Sequence, residues 1–168
     1  EEGEGNYPFG KFANEGLMVK TFIEKFYGEE FINSLYIFEK KLPIFAIGKS
    51  FLISHAEPRH FHNREEIVNY YTTDDVIFDF TWTRDGDSEV DTVQQMLDYY
   101  LPGVKKPYYF GGHRPVRGLY NLRADGKYVQ LHNPLKQVVC IINRDFDPEK
   151  NIIDIEDKKW SNYVANTF

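Results

Sequence analysis

The chain has 168 residues, 42% of them apolar and 17% aromatic, enough to bury a sizeable core and too many to leave it disordered. A formal net charge of −6 provides no general basic field for nucleic acid, and the single cysteine, Cys140, excludes an internal disulfide framework and a Cys-based zinc site. No apolar run approaches the roughly 18 residues of a membrane span and no leader pattern opens the chain, so a soluble, cytoplasmic protein is expected.

The acidic stretch over residues 1–11 reads as a flexible lead, with a domain piece over 12–157 and a tail over 158–168. Met18, Phe22 and Phe26 recur at helical spacing, predicting a helix over Asn14–Phe26 that Gly28 ends. A second helix is expected over Glu29–Lys40, with Phe31, Leu35 and Phe38 on its apolar face. Two short apolar runs, Pro43–Ile47 and Phe51–Ile53, flank Gly48-Lys49 and predict a buried hairpin. A polar loop, His55 to Asn63, leads into a short helix over Arg64–Tyr71 capped by Asn63. Asp75–Trp82 is open between strand and helix, although Val76, Phe78 and Phe80 alternate as in a strand. Ser88–Leu101 reads as a helix lined by Val90, Val93, Leu97 and Tyr100 and stopped by Pro102-Gly103.

The last third is β-rich. Tyr108–Phe110, Leu119–Leu122, Tyr128–Leu131, Val138–Ile142 and Ile152–Ile155 are strand candidates, with Asp125-Gly126 forming a hairpin turn. Helices first and a mainly antiparallel sheet later predict an α+β chain.

Two histidines share one setting: each follows an apolar run that ends in a turn, Phe51-Leu52-Ile53-Ser54-His55 and Tyr108-Tyr109-Phe110-Gly111-Gly112-His113. If the two strands are neighbours, both imidazoles can reach one metal ion at ~2.0–2.1 Å. A half-buried histidine bonding a carbonyl is the competing reading, evenly weighted for the pair. Arg59, His60, His62 and Arg64 cluster after His55, and Arg114 and Arg117 after His113. If the loops meet, these arginines suit a phosphate through paired hydrogen bonds. Solvation is favoured for Arg64 and Arg117, and a phosphate role for Arg59 and Arg114. His132-Asn133-Pro134 reads as a turn before a second site loop, Trp82 as substrate wall or core edge, and Cys140 as packing.

Leu42-Pro43-Ile44-Phe45-Ala46-Ile47, then Phe51-Leu52-Ile53-Ser54-His55-Ala56-Glu57-Pro58, resembles the "LP…HGG-x-P" stretch of calcineurin-like metallophosphoesterases, nearest the serine/threonine protein phosphatases and their bacterial relatives. Phe80-Thr81-Trp82-Thr83-Arg84-Asp85 is similar to the "LLWSDP" segment, and Gly112-His113-Arg114-Pro115-Val116 to a "GH-x-P-V" segment. The resemblance spans roughly residues 12 to 157. It implies the C-terminal part of an α/β/β/α sandwich and a site with two divalent ions (manganese, iron or zinc). His55 and His113 would be ligands of one ion, with Arg59, Arg84 and Arg114 near a phosphorylated substrate. The family's N-terminal motifs, GDxHG, GDxxDRG and GNHE, do not occur in the 168 residues. The remaining ligands and the general acid are therefore expected from a missing N-terminal half or another chain, and this segment alone is expected to be inactive. The alternative is a non-catalytic module of the same descent that binds phosphate or protein.

Overall fold

Gly28 decides where the first helix stops. Its φ of +84° is left-handed, which glycine adopts without a side-chain clash, and its N–H closes the last turn on the Glu24 carbonyl at 2.9 Å. In the computed structural model, which describes residues 14–73 and 75–156, the chain divides into two units, the first ending at Ile44 and the second starting at Phe45. The expected lead and tail, and Asp74, lie outside the described residues.

The first unit holds α1 (Asn14–Tyr27) and α2 (Glu29–Glu39). The expected apolar stripe of α1 is exposed: Met18, Phe22 and Phe26 all face solvent. In α2 the buried residues are Ile32 and Tyr36, four apart, and not the expected Phe31 and Phe38, which are exposed. Apolar spacing located both helices, and the buried face of α2 is a different one.

The second unit is built on a five-stranded sheet. Its strands are β1 (Phe45–Ile47), β2 (Phe51–Ser54), β3 (Tyr108–Gly111), β4 (Asn121–Arg123) and β5 (Tyr128–Gln130), in the order β1-β2-β3-β5-β4. The two hairpins, β1–β2 and β4–β5, are antiparallel, as the Gly48 and Asp125-Gly126 turns predict. The interior pairings β2–β3 and β3–β5 are parallel, so the sheet is mixed and not mainly antiparallel. A parallel pair needs a long crossover, and the helices between β2 and β3 supply it.

Those helices are α3 (Arg64–Val68), α4 (Val76–Thr81) and α5 (Thr92–Tyr100). Asn63 caps α3 as expected, accepting from the Glu66 N–H while the Glu66 carboxylate accepts from the Asn63 N–H. The open segment resolves as the helix α4, which buries Val76, Asp79 and Phe80; three- and four-residue spacing outweighs the two-residue alternation. The α5 helix starts at Thr92, four residues later than expected, and leaves Val90 exposed.

Alternation along the strands gives the sheet two distinct faces. Leu52, Ser54, Tyr109 and Tyr128 point one way, where Phe45 brings together Phe80, Tyr100 and Tyr109 at ring distances of 5.4, 5.1 and 6.2 Å. Phe51, Tyr108, Phe110 and Val129 point the other way. Over that face lie β6 (Val138–Cys140), α6 (Pro148–Asn151) and β7 (Ile152–Asp154), with β6 and β7 pairing in their own antiparallel sheet. Phe110, Val129 and Ile152 are its buried centre, with Cys140 packed against them. Burial pushes the Cys140 thiol up to about 11, consistent with the packing role expected for it. The molecule is therefore α+β with a mixed sheet.

Candidate functional site

The parallel β2–β3 pair decides where its loops go. In parallel strands both chains leave at the same end, so the residue following each strand emerges side by side. The Gly112 N–H donates to the His55 carbonyl at 2.8 Å, which extends the ladder one step past β3 and locks the two exit loops together. A side chain at Gly112 would meet the His132 Cβ at 3.5 Å, and one at Gly111 would run into the Tyr128 hydroxyl. These glycines permit the close approach that their position before a histidine suggests.

The outcome is a histidine pair. His55 Nε2 lies 3.2 Å from His113 Nδ1, with the rings near edge-to-face at 63°. His113 adopts φ +61°, a left-handed conformation unusual for a residue with a side chain, with an energetic cost of order 1 kcal/mol. The Trp82 ring stands edge-on to His113 at 5.8 Å. His132 Nδ1 donates to the His113 carbonyl at 3.0 Å. His132 thus belongs to this cluster, although the sequence favoured a plain turn.

The pair is held neutral. Burial, then the neighbouring charges of His55 and Arg114, draws the His113 imidazole down to about 4. Burial and the proximity of His132 lower His55 as well. Neutral imidazole is the form that binds cations and the form that lets one ring donate to the other. Two ligand nitrogens at ~2.0–2.1 Å from a tetrahedral ion stand roughly 3.3 Å apart. The observed 3.2 Å therefore fits two adjacent coordination corners. Among the described residues no group of three or more His, Cys, Asp or Glu side chains is placed to hold an ion.

A polar girdle, buried at Ser54, Glu57, Tyr109 and Gln130 and open to solvent at Asp85, supports the end of the sheet. The Ser54 hydroxyl donates to the Ala56 carbonyl, so the Tyr109 hydroxyl donates to Ser54, at 2.8 Å. Arg123 donates from Nε to the Glu57 carboxylate at 2.7 Å and lies 3.7 Å from Asp85. Burial raises the Glu57 carboxyl, and the Arg123 charge opposes that rise. Gln130, almost fully buried, donates from Nε2 to Asp85 at 3.1 Å and to the Arg114 carbonyl at 3.2 Å. Gln130 and Asp85 thus tie the loop carrying Arg114 to the loop after α4. Gln130 did not stand out in the sequence, because a lone Gln in a strand carries no spacing signal.

The arginines divide. Arg114 lies close enough for its charge to act on His113. Arg59 and Arg84 are exposed; the Arg59 carbonyl accepts from the Glu89 N–H at 2.9 Å, and the Arg84 carbonyl from the Asp87 N–H at 3.1 Å. The other two histidines of the loop serve Asp79. His60 Nδ1 and His62 Nε2 both lie against Asp79 Oδ2, at 2.7 and 2.8 Å, and the carboxylate is fully buried. That clamp fastens the loop after His55 onto α4, with Phe80 at the next position accepting the Ala56 N–H at 2.8 Å. No helix among the described residues is long and apolar enough to cross a membrane. Compared with known proteins, the chain matches no family model and no curated sequence.

Proposed function

We propose that this chain is the C-terminal part of a metal-dependent phosphoesterase of the serine/threonine protein phosphatase type. The observation that carries this reading is the 3.2 Å separation of two neutral imidazole nitrogens at the exits of adjacent parallel strands. His55 and His113 would hold one divalent ion, manganese, iron or zinc, of a two-ion site in an α/β/β/α sandwich. When bound, such a pair of ions supplies an activated water and neutralises phosphoryl charge. The chain's own part is to present two neutral nitrogens in fixed orientation and to place a cation, Arg114, beside them for a phosphate oxygen. Arg59 and Arg84 complete the phosphate rim in this reading. The carboxylate ligands and the general acid come from a missing N-terminal half or from another chain, in a cytoplasmic setting.

The test is hydrolysis of a phosphomonoester with added Mn²⁺ by the chain alone and by the chain joined to the residues encoded before it. The chain alone is expected to be inactive, and the joined protein active. His55→Ala and His113→Ala are each expected to abolish that activity, and Mn²⁺-dependent hydrolysis indifferent to both would refute the assignment. The shortage of ligands among the described residues favours a second reading, a non-catalytic module that binds phosphate or a phosphorylated protein. Retained phosphate binding with no hydrolysis in the joined protein selects it.

A further inference from the structure

The same two strands have a second end with a different lining. Where β2 and β3 begin, away from the histidines, a cleft of about 1000 Å³ opens between the sheet and the loop that connects β6 to α6. That volume is at the upper end of the range for sites that take small organic ligands. Five cationic side chains line it: Lys49 before β2, Lys105 and Lys106 before β3, and Arg144 and Lys150 on the loop side. Against them stand two carboxylates, Asp145 and Asp147, an excess of three positive charges in a chain of net charge −6.

Two of these cations act on Asp147, Lys150 directly and Lys106 through its charge. Lys150 pairs with Asp147 at 3.0 Å, but Lys49, Lys105, Lys106 and Arg144 have no salt-bridge partner among the described residues. The cleft also has an aromatic floor. Phe51 and Tyr108 are half-buried there, and Phe146 stands edge-on to Tyr108 at 4.9 Å and to Phe110 at 5.3 Å.

Unpaired cations around half-buried rings select a ligand with both a concentrated negative charge and a planar apolar part. The cations recognise phosphate, and the rings recognise a π-face. A peptide adding as a strand is disfavoured on this floor, because β2 and β3 are each paired on both sides and present no free main-chain edge. A long polyanion is disfavoured by the acidic remainder of the chain.

We propose that this cleft binds a nucleoside polyphosphate, with Lys49, Lys105, Lys106 and Arg144 on the phosphates and Tyr108 and Phe146 against the base. The site is independent of the histidine pair and does not rest on the phosphoesterase reading. Calorimetric titration with ATP in the presence of chelator, beside inorganic tripolyphosphate and adenosine, tests it without any hydrolysis. ATP is expected to bind at least roughly tenfold more tightly than either fragment, since stacking and charge-assisted contacts each contribute on that scale. Lys105→Ala combined with Lys106→Ala is expected to weaken ATP roughly tenfold, Tyr108→Leu to reduce ATP to the level of tripolyphosphate, and His55→Ala to change nothing. Should Tyr108→Leu fail to fold, the comparison of ATP with tripolyphosphate still decides whether the rings contribute. Equal affinity for ATP and tripolyphosphate, no ATP binding at millimolar concentration, displacement of ATP by a short polyglutamate peptide at lower concentration, or loss of binding in His55→Ala each overturns the proposal.

Discussion

The two ends of the β2–β3 pair share a backbone and differ in nearly everything else. At the exit end the side chains are held: His55, His113 and His132 bond one another or a carbonyl, and Gln130, Asp85, Arg123 and Glu57 form a connected girdle behind them. At the entry end Lys150 pairs with Asp147, while Lys49, Lys105 and Arg144 have no ion pair among the described residues, and the rings are half-buried. The exit end holds His113 in a left-handed conformation at φ +61° and joins its ring to that of His55. A site that recognises charge and a flat ring tolerates long, mobile lysines. The contrast follows from the pairing itself, because parallel strands gather their loops at both ends.

The sharpest way to break the contrast is to remove an imidazole. His113→Ala or His55→Ala is expected to lower metal-dependent phosphoester hydrolysis by the joined protein by a factor on the order of a thousand or more, about the scale of losing a charge-stabilising group. The Lys105→Ala, Lys106→Ala protein should keep that activity within roughly twofold, in initial rates at saturating substrate.

Next in size is Gly111→Ala. The added methyl collides with the Tyr128 hydroxyl at the last residue of β3, so a loss of about 1–3 kcal/mol is expected in urea unfolding, as for an overpacked core. A neutral outcome would show that the exit end is looser than its hydrogen bonds imply.

The pH dependence follows from the depressed histidines. His113 titrates near 4 in the folded protein against an ordinary value near 6.5, so the unfolded chain binds more protons between those limits. The stability is present above pH 6.5 and is lost as pH falls toward 4, and His55 adds in the same direction. Urea midpoints of the metal-free protein should fall across that window, and His113→Asn should flatten the fall.

Smaller still is Tyr109→Phe, which removes the hydroxyl that donates to Ser54 and should cost about 1 kcal/mol. Smallest is the effect of Lys105→Ala, Lys106→Ala on stability, expected within about 0.5 kcal/mol because both side chains are exposed and make no ion pair within 4.0 Å among the described residues. A larger loss would mean that the entry end is structural and not poised for a ligand.

Local chemistry was legible in the sequence and partnership was not. Gly28, Asn63 and the Asp125-Gly126 turn act within a few residues of themselves, so the helix end, the capped helix and the β4–β5 hairpin could be read directly. The exits at His55 and His113 were also legible, because an apolar run closed by a turn marks where a strand releases a side chain. What the sequence by itself determined was therefore the kind of most elements and several of their edges, with Asp75–Trp82 left open and the start of α5 four residues off. Only the tertiary structure decided that β2 and β3 lie side by side and parallel, since 53 residues separate Ser54 from Tyr108 and pairing across that distance leaves no local mark. It decided as well that His60 and His62 turn inward to Asp79, that Gln130 and Asp85 brace the exit loops, and that lysines from two separate loops surround one aromatic floor. The physical reason is common to all three. A buried polar group or an unpaired charge acquires its role from what stands opposite it, and that neighbour is set by packing across the whole chain.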